Sequence, residues 1–168
     1  VADTPDKVAK YVRTIYNKAS EMDVLINELT LYSKIDTNRI PYNFTILSVN
    51  DYFNDCSEDL SLDLEAKNVE FGYFNYVEKN VRIIADPEQL MRVVNNIVTN
   101  AIKYNKDEGW VRVSLNADHK YFYVTVTDSG LGIPEESIDH IFERFYRVDK
   151  SHSTEIEGTG LGLAITRS

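Results

Sequence analysis

The sequence predicts an α+β protein, in which one long helix precedes a domain of mixed strands and helices. From Val8 to Leu29, apolar residues recur at alternating spacings of four and three, which is typical of a helix that faces another helix. After Asn38, short segments rich in Val, Ile, Phe and Tyr alternate with polar helical segments. We therefore divide the chain into a helix over residues 1–37 and a mixed domain over residues 38–168.

The first helix is expected to begin at Pro5, with Thr4 as its candidate N-cap, and to stop near Asp36. Its apolar stripe consists of Val8, Val12, Ile15, Ala19, Met22, Ile26 and Leu29. A helix of about thirty residues spans about 45 Å and cannot bury such a stripe alone. Two interpretations stay open: the stripe packs on its own domain, or it pairs with other helices in a bundle.

The second domain is expected to contain five segments with strand character, together with two helices. Asp86 and Pro87 open the second of these helices, because Asp caps a helix and Pro suits its first position. In chain order we expect a strand over 44–49, a helix over 50–67, strands over 69–74 and 81–85, a helix over 86–104, and an antiparallel pair over 110–115 and 121–126.

Composition excludes several classes of function. Eighteen basic against twenty-seven acidic residues give a net charge of −9, which argues against nucleic-acid binding because phosphate contacts need Lys and Arg. The single cysteine, Cys56, excludes an internal disulfide framework and fits a reducing compartment. No apolar run reaches the roughly 18–20 residues of a membrane span. We expect a soluble, cytosolic chain that could be a fragment of a protein anchored elsewhere.

Five of the seven glycines fall between Gly130 and Gly162, in two clusters. One cluster follows a strand directly, and the other leads into a helix. Glycines there let a ligand approach the backbone, and free amides at a helix start suit phosphate. Neither cluster is a P-loop, and their context does not fit a dinucleotide fold. Asn96 and Asn100 lie four residues apart on one face of the 86–104 helix, where their oxygens would suit Mg²⁺.

Four segments occur in order along the second domain, over residues 96–104, 128–133, 142–149 and 158–163. Together they resemble the catalytic ATP-binding domain of two-component sensor histidine kinases. The resemblance covers about residues 40–168, and the preceding helix is similar to the second helix of the family's dimerisation hairpin. It implies a two-layer α/β sandwich, with a mixed sheet covered by helices on one face. The matching segments are an asparagine box over 96–104, a first glycine box over 128–133, a phenylalanine box over 142–149 and a second glycine box over 158–163.

The resemblance also implies ATP and Mg²⁺ as ligands, and it assigns a role to each matching position. Asn100 would hold Mg²⁺ with support from Asn96, and Asp128 would accept a hydrogen bond from the adenine amino group. Tyr104 would lie along the sugar or base, while Gly130, Gly132 and Ile133 would let the base approach. The positions expected to meet phosphate are Lys103, Arg147, Lys150, Gly158, Thr159, Gly160, Leu161, Gly162 and Leu163. Residues 146–157 would form a mobile lid.

In the family, the phosphoryl group passes to a histidine on the first hairpin helix and then to an aspartate of a response regulator. None of His119, His140 and His152 has the sequence context of that acceptor. We therefore expect a segment that lacks the acceptor helix and the final strands of the domain, and that does not phosphorylate itself. The family further implies a homodimer formed through a helix bundle. A membrane connection would come only from absent upstream segments.

Two alternatives belong to other classes. The chain could be an interaction module that works through the Val8–Leu29 stripe without nucleotide. It could also be an ATP hydrolase related to gyrase, the ninety-kilodalton heat-shock proteins and mismatch-repair proteins. Those enzymes carry a glutamate where Asn96 stands, and an amide cannot act as a general base, so Asn96 favours the kinase branch.

Overall fold

The computed structural model describes residues 4–65, 68–148 and 158–168. The chain divides into two units, one that ends at Ile40 and one that spans Pro41–Arg167. Among the described residues, no helix combines the length and the apolar character needed to cross a bilayer.

The first unit is the single helix α1, Pro5–Asp36. Thr4 occupies the N-cap position in extended conformation, but its side chain makes no capping hydrogen bond, so α1 begins with the restricted φ of Pro5. Asn38 adopts a left-handed φ of 52° just after the helix, which ends the helical path. No residue of α1 is buried, and Ile15 and Met22 of the predicted stripe are 68% and 62% exposed.

The described residues of the second unit form five strands in two hydrogen-bonded groups. Strands β1 (Thr45–Ser48) and β3 (Arg82–Ala85) form an antiparallel ribbon in which Ile46 faces Ile84. Strand β4 (Trp110–Ala117) lies between β2 (Glu70–Asn75), to which it is parallel, and β5 (Phe122–Asp128), to which it is antiparallel. The predicted strands and their antiparallel pair are confirmed, with ends shifted by one or two residues, and the mixed sheet is the β2–β4–β5 group.

Helices α2 (Val49–Glu65) and α3 (Pro87–Lys103) supply the apolar side chains that meet one face of this sheet. Side chains alternate along β4, so that Val111, Val113 and Leu115 are almost completely buried while Arg112 is exposed. Val94, Val98 and Ala101 recur at spacings of four and three on α3, and they join the same core. A short 3-10 turn (Glu135–Ser137) and helix α4 (Gly162–Arg167) complete the unit.

Asp86 anchors the beginning of α3. Its carboxylate accepts hydrogen bonds from the backbone N–H groups of Glu88 at 3.0 Å and Gln89 at 3.1 Å, as the sequence predicts for an N-cap. It also accepts one from the backbone N–H of Asn43 at 2.7 Å, which ties the segment before β1 to α3. These bonds, that from Asn43 foremost, hold the pKa of Asp86 below its ordinary value of 3.8.

Replacing Asp86 by alanine should therefore lower the free energy of unfolding, and the loss should depend on pH. Because the folded-state pKa is lowered, the ionised carboxylate stabilises the fold above the unfolded-state pKa, and this contribution is lost as the pH falls through the folded-state pKa. Urea unfolding at neutral pH and at acid pH measures both effects. The gap between parent and Asp86→Ala should shrink in acid.

Asp107→Ala is the matched control, because Asp107 is exposed in the turn between α3 and β4. It should change stability little at either pH. A gap for Asp86→Ala that stays equal at both pH values would contradict this role of the carboxylate.

Candidate functional site

Helix α3 carries four of the predicted site residues. Its apolar face is fixed against the sheet, so the opposite side presents Asn96, Asn100, Lys103 and the C-cap residue Tyr104. Asn96 and Asn100 are half-buried, whereas Lys103 and Tyr104 are exposed. The spacing of four places the two amides one above the other on the helix, as the sequence predicts.

Asn96 binds helix α4. Its Nδ2 donates to the carbonyl of Gly162 at 3.0 Å and to Oγ1 of Thr166 at 3.3 Å. A Cβ placed on Gly162 would lie 3.7 Å from Cγ of Asn96, so the Asn96 side chain is in contact with the start of α4. Asn96 thereby holds the second glycine segment beside α3. Sequence reasoning missed Thr166, although its position four residues after Gly162, on the same face of α4, gave a signal.

Asn100 lies one turn further along α3. Its side chain makes no hydrogen bond to any residue that the structure describes, although it is half-buried. A half-buried carboxamide is normally satisfied by a partner, and a ligand could supply the partner that this oxygen and nitrogen lack among the described residues.

Two cationic side chains converge on Gly158, where the second glycine segment begins. Nη1 of Arg147 donates to the Gly158 carbonyl at 3.2 Å. Nζ of Lys103 lies 3.9 Å from the point that a Cβ on Gly158 would occupy. Two cations next to glycine backbone suit an anionic ligand, even on a molecule that is acidic as a whole.

The first glycine segment packs directly on the end of α3. The N–H of Leu131 donates to the carbonyl of Tyr104 at 2.9 Å. A Cβ on Gly130 would clash with that same carbonyl oxygen, so only glycine permits this approach. Asp128 is exposed at the end of β5, and its Oδ1 accepts a hydrogen bond from the N–H of Gly130 at 2.8 Å.

Gly132 and Ile133 continue this segment at the surface. Gly132 has a left-handed φ of 71° and open space where a side chain would stand. Ile133 is half exposed, as an apolar side chain next to an apolar ligand surface can be. The structure therefore places both residues beside Gly130, in keeping with the predicted segment.

In the second glycine segment, Gly160 meets the phenylalanine segment. The N–H of Phe145 donates to the Gly160 carbonyl at 3.0 Å, and a Cβ on Gly160 would come within 2.9 Å of the Phe145 backbone. Gly160 has a φ of 74° and Phe145 a φ of 60°, so both ends of this contact use left-handed backbone. Sequence reasoning did not predict the conformation of Phe145, because no local pattern signals a left-handed aromatic residue.

Three other residues of this segment have different environments. Leu161 is completely buried, and its N–H donates to Oγ1 of Thr159 at 3.2 Å. Leu161 can therefore meet a ligand only through its backbone. Leu163 is half-buried within α4. Lys150 and most of the predicted lid, including His152, Thr154 and Glu157, lie outside the described residues.

The described residues contain no group of three or more His, Cys, Asp or Glu side chains that could hold a metal ion. A metal here would therefore depend on an amide oxygen together with oxygens of a ligand and water, a set that Mg²⁺ commonly uses. Cys56 lies in the core, where burial raises the pKa of its thiol and keeps it protonated. The pKa of His140 is raised by its hydrogen bond with Glu143.

Comparison with known families decides the assignment. Residues 85–168 match the model described as histidine kinase-, DNA gyrase B-, and HSP90-like ATPase. The chain belongs to this family. Membership implies that the domain binds ATP, and it confirms the resemblance inferred from the four sequence segments.

Its relatives are sensor histidine kinases. The chain is 30% identical to sensor histidine kinase WalK of Bacillus subtilis over 98% of its own length and 27% of that protein. It is 31% identical to sensor histidine kinase RppB of Synechocystis over 93% of its length and 34% of that protein. The chain thus spans only about a third or less of the relatives it matches.

Solved structures confirm the fold. The nucleotide-free catalytic domain of histidine kinase ThkA is 27% identical, with a TM-score of 0.63 over 74% of this chain and 78% of that one. ThkA in complex with response regulator protein TrrA gives a TM-score of 0.72 at 27% identity, over 87% of this chain and 42% of that one. Full-length ShkA in complex with AMPPNP shares the fold over 98% of this chain and 34% of that one, with a TM-score of 0.77 at 22% identity.

Gly130→Ala should destabilise the domain by about 1–3 kcal/mol, because the added methyl group would clash with the Tyr104 carbonyl. Gly158→Ala is the matched control, since among the described residues the only atom within 4 Å of its added methyl group would be Nζ of Lys103 at 3.9 Å. Urea unfolding of both variants measures the difference. Equal stability of the two variants would contradict the close approach of the first glycine segment to α3.

Proposed function

We propose that this chain is the ATP-binding catalytic core of a sensor histidine kinase. It donates the γ-phosphoryl group of ATP to a histidine on another segment, from which the group passes to an aspartate of a response regulator. The observation that carries the proposal is the convergence of Lys103 and Arg147 on Gly158, together with the half-buried Asn100 on the same helix as Lys103. This arrangement offers cations, glycine backbone and an amide oxygen to one polyphosphate.

Each site residue takes a physical role in this proposal. Asn100 contributes an oxygen to Mg²⁺, and Asn96 keeps α4 and the second glycine segment against α3. Lys103, Arg147 and Lys150 neutralise phosphate charge. The glycine segment over 158–163 wraps the phosphates with its backbone. Asp128 accepts from the adenine amino group, Tyr104 lies along the sugar or base, and Gly130, Gly132 and Ile133 border the base.

In the transfer, the bond between the γ-phosphorus and its bridging oxygen breaks, and a bond to an imidazole nitrogen of the acceptor histidine forms. ADP departs with the bridging oxygen. The catalytic domain itself forms no covalent bond in this step, so catalysis depends on positioning the two reactants and on neutralising the charge of the phosphates. Mg²⁺, when bound, supplies further neutralisation of the phosphate oxygens. The chain's own cations and backbone amides supply the rest.

Hydrolysis of ATP is disfavoured by Asn96. An amide cannot take a proton from water, and the Nδ2 of this amide already donates to Gly162 and Thr166. With no general base at that position, transfer to an acceptor histidine is favoured over transfer to water.

The proposal extends to the assembly. The exposed apolar stripe of α1 suits a helix bundle that joins two copies of the chain, since burying such a stripe releases its apolar surface from water. A cytoplasmic location for this part, and a membrane-bound sensor portion outside this sequence, belong to the same proposal. An interaction module that works through α1 alone is the second candidate, favoured by the exposure of this stripe.

Asn100→Ala should weaken binding of a non-hydrolysable ATP analogue in the presence of Mg²⁺. Losing one contact to a charged group costs about 1.5–3 kcal/mol, so affinity should fall on the order of 10- to 100-fold. Calorimetric titration measures it. Asn95→Ala is the matched control, because Asn95 is exposed on the same helix. Unchanged affinity in Asn100→Ala would refute the metal role, and no binding by the folded parent would refute the proposed function.

Ile15→Glu and Met22→Glu should each weaken self-association, because a charge in the stripe would have to be buried in the bundle. Sedimentation velocity over a range of concentrations measures the monomer fraction. Asn17→Glu adds the same charge on the opposite side of α1 and should leave association unchanged. Self-association that survives both stripe variants would exclude this face as the dimer contact.

A further inference from the structure

We infer that Asn105 and Ser129 are positioning residues of the nucleotide site, which lock the end of α3 to the end of β5. The inference rests on the proposed function. Asn105 directly follows Tyr104, and Ser129 stands between Asp128 and Gly130. The lock therefore joins the half of the site assigned to metal and phosphates with the half assigned to the base.

The lock is a closed set of side-chain hydrogen bonds. Oγ of Ser129 donates to Oδ1 of Asn105 at 3.0 Å and accepts from the backbone N–H of Trp110 at 2.8 Å. Nδ2 of Asn105 donates to the Trp110 carbonyl at 3.1 Å. Both side chains are half-buried, so water replaces these bonds only in part.

Backbone contacts extend the lock on both sides. The N–H of Ser129 donates to the Trp110 carbonyl at 3.1 Å, one step beyond the paired residues of β4 and β5. The N–H of Leu131 donates to the Tyr104 carbonyl. A Cβ on Gly109 would collide with Oδ1 of Asn105 and would lie 2.7 Å from Oγ of Ser129, so the space around the pair is full.

Removal of the Ser129 hydroxyl leaves the Trp110 N–H without a side-chain partner, and Asn105 loses its direct side-chain bond to residue 129 while keeping its bonds to the Trp110 carbonyl and the Lys106 N–H. The two halves of the site would then hold their own residues but lose their fixed separation. A ligand that spans both halves would then bind more weakly, because it would have to fix their relative position before all its contacts could form. Neither residue would touch the ligand, which separates this role from those of Asn100 and Asp128.

The test measures affinity for a non-hydrolysable ATP analogue with Mg²⁺, together with the unfolding midpoint of each variant in the same buffer. Titrations are run well below every midpoint, so that each variant is fully folded. Ser129→Ala and Asn105→Ala should each bind roughly tenfold more weakly than the parent. The double variant should have about the same affinity as whichever single variant binds the analogue less tightly, because both substitutions disrupt the same set of hydrogen bonds.

Two variants restore part of the lock. Ser129→Thr keeps the hydroxyl and should bind close to the parent, and Asn105→Asp keeps the Oδ1 acceptor and should lie between the parent and Asn105→Ala. Ser114→Ala is the matched control, a serine on β4 whose side chain makes no hydrogen bond to the described residues. It should bind like the parent.

A lowered midpoint with unchanged affinity in Ser129→Ala and Asn105→Ala would show a merely structural role and overturn the inference. The same holds if Ser129→Thr binds as weakly as Ser129→Ala. If the parent binds the analogue and these variants match it, the proposed function stands and only the lock fails. If the folded parent does not bind, both fail together.

Discussion

The packing of α3 on the sheet is the constraint on which the rest of the site depends. Val94, Val98 and Ala101 are held in the core beneath β4, and Asp86 fixes where the helix starts. A helix anchored in this way cannot rotate, so its polar side faces outward at a set position. Both glycine segments then pack on that side, one through the Tyr104 carbonyl and the other through Asn96.

Close approach of backbone explains two of the clustered glycines, Gly130 and Gly160. At Gly130 a side chain would meet a carbonyl oxygen of α3, and at Gly160 it would meet the backbone of Phe145. The same lack of a side chain at Gly158 lets a ligand approach the backbone next to Lys103 and Arg147. An acidic protein can thereby hold a polyanion, because local cations and amides outweigh a net charge spread over the whole surface.

The amino-acid sequence was sufficient to predict those elements whose pattern lies within a single helix or a pair of neighbouring strands. Helix α3 could be predicted from Asp86, Pro87 and its apolar period, and the β4–β5 pair from its alternation. The lock between Asn105 and Ser129 could not, because hydrogen bonds between residues 24 positions apart leave no periodic signal. The pairing of β1 with β3 could not be predicted either, because alternation of apolar residues along a strand does not indicate which other strand it pairs with.

The central claim is that one nucleotide contacts both glycine segments and α3 at the same time. Titration of the isotopically labelled chain with Mg²⁺ and a non-hydrolysable ATP analogue, followed by NMR, tests it directly. The account predicts saturable shifts at the backbone amides of Gly130, Leu131 and Gly160 and at the side-chain amide of Asn100, with a single affinity. Shifts at only one glycine segment, or different affinities for the two, would contradict it.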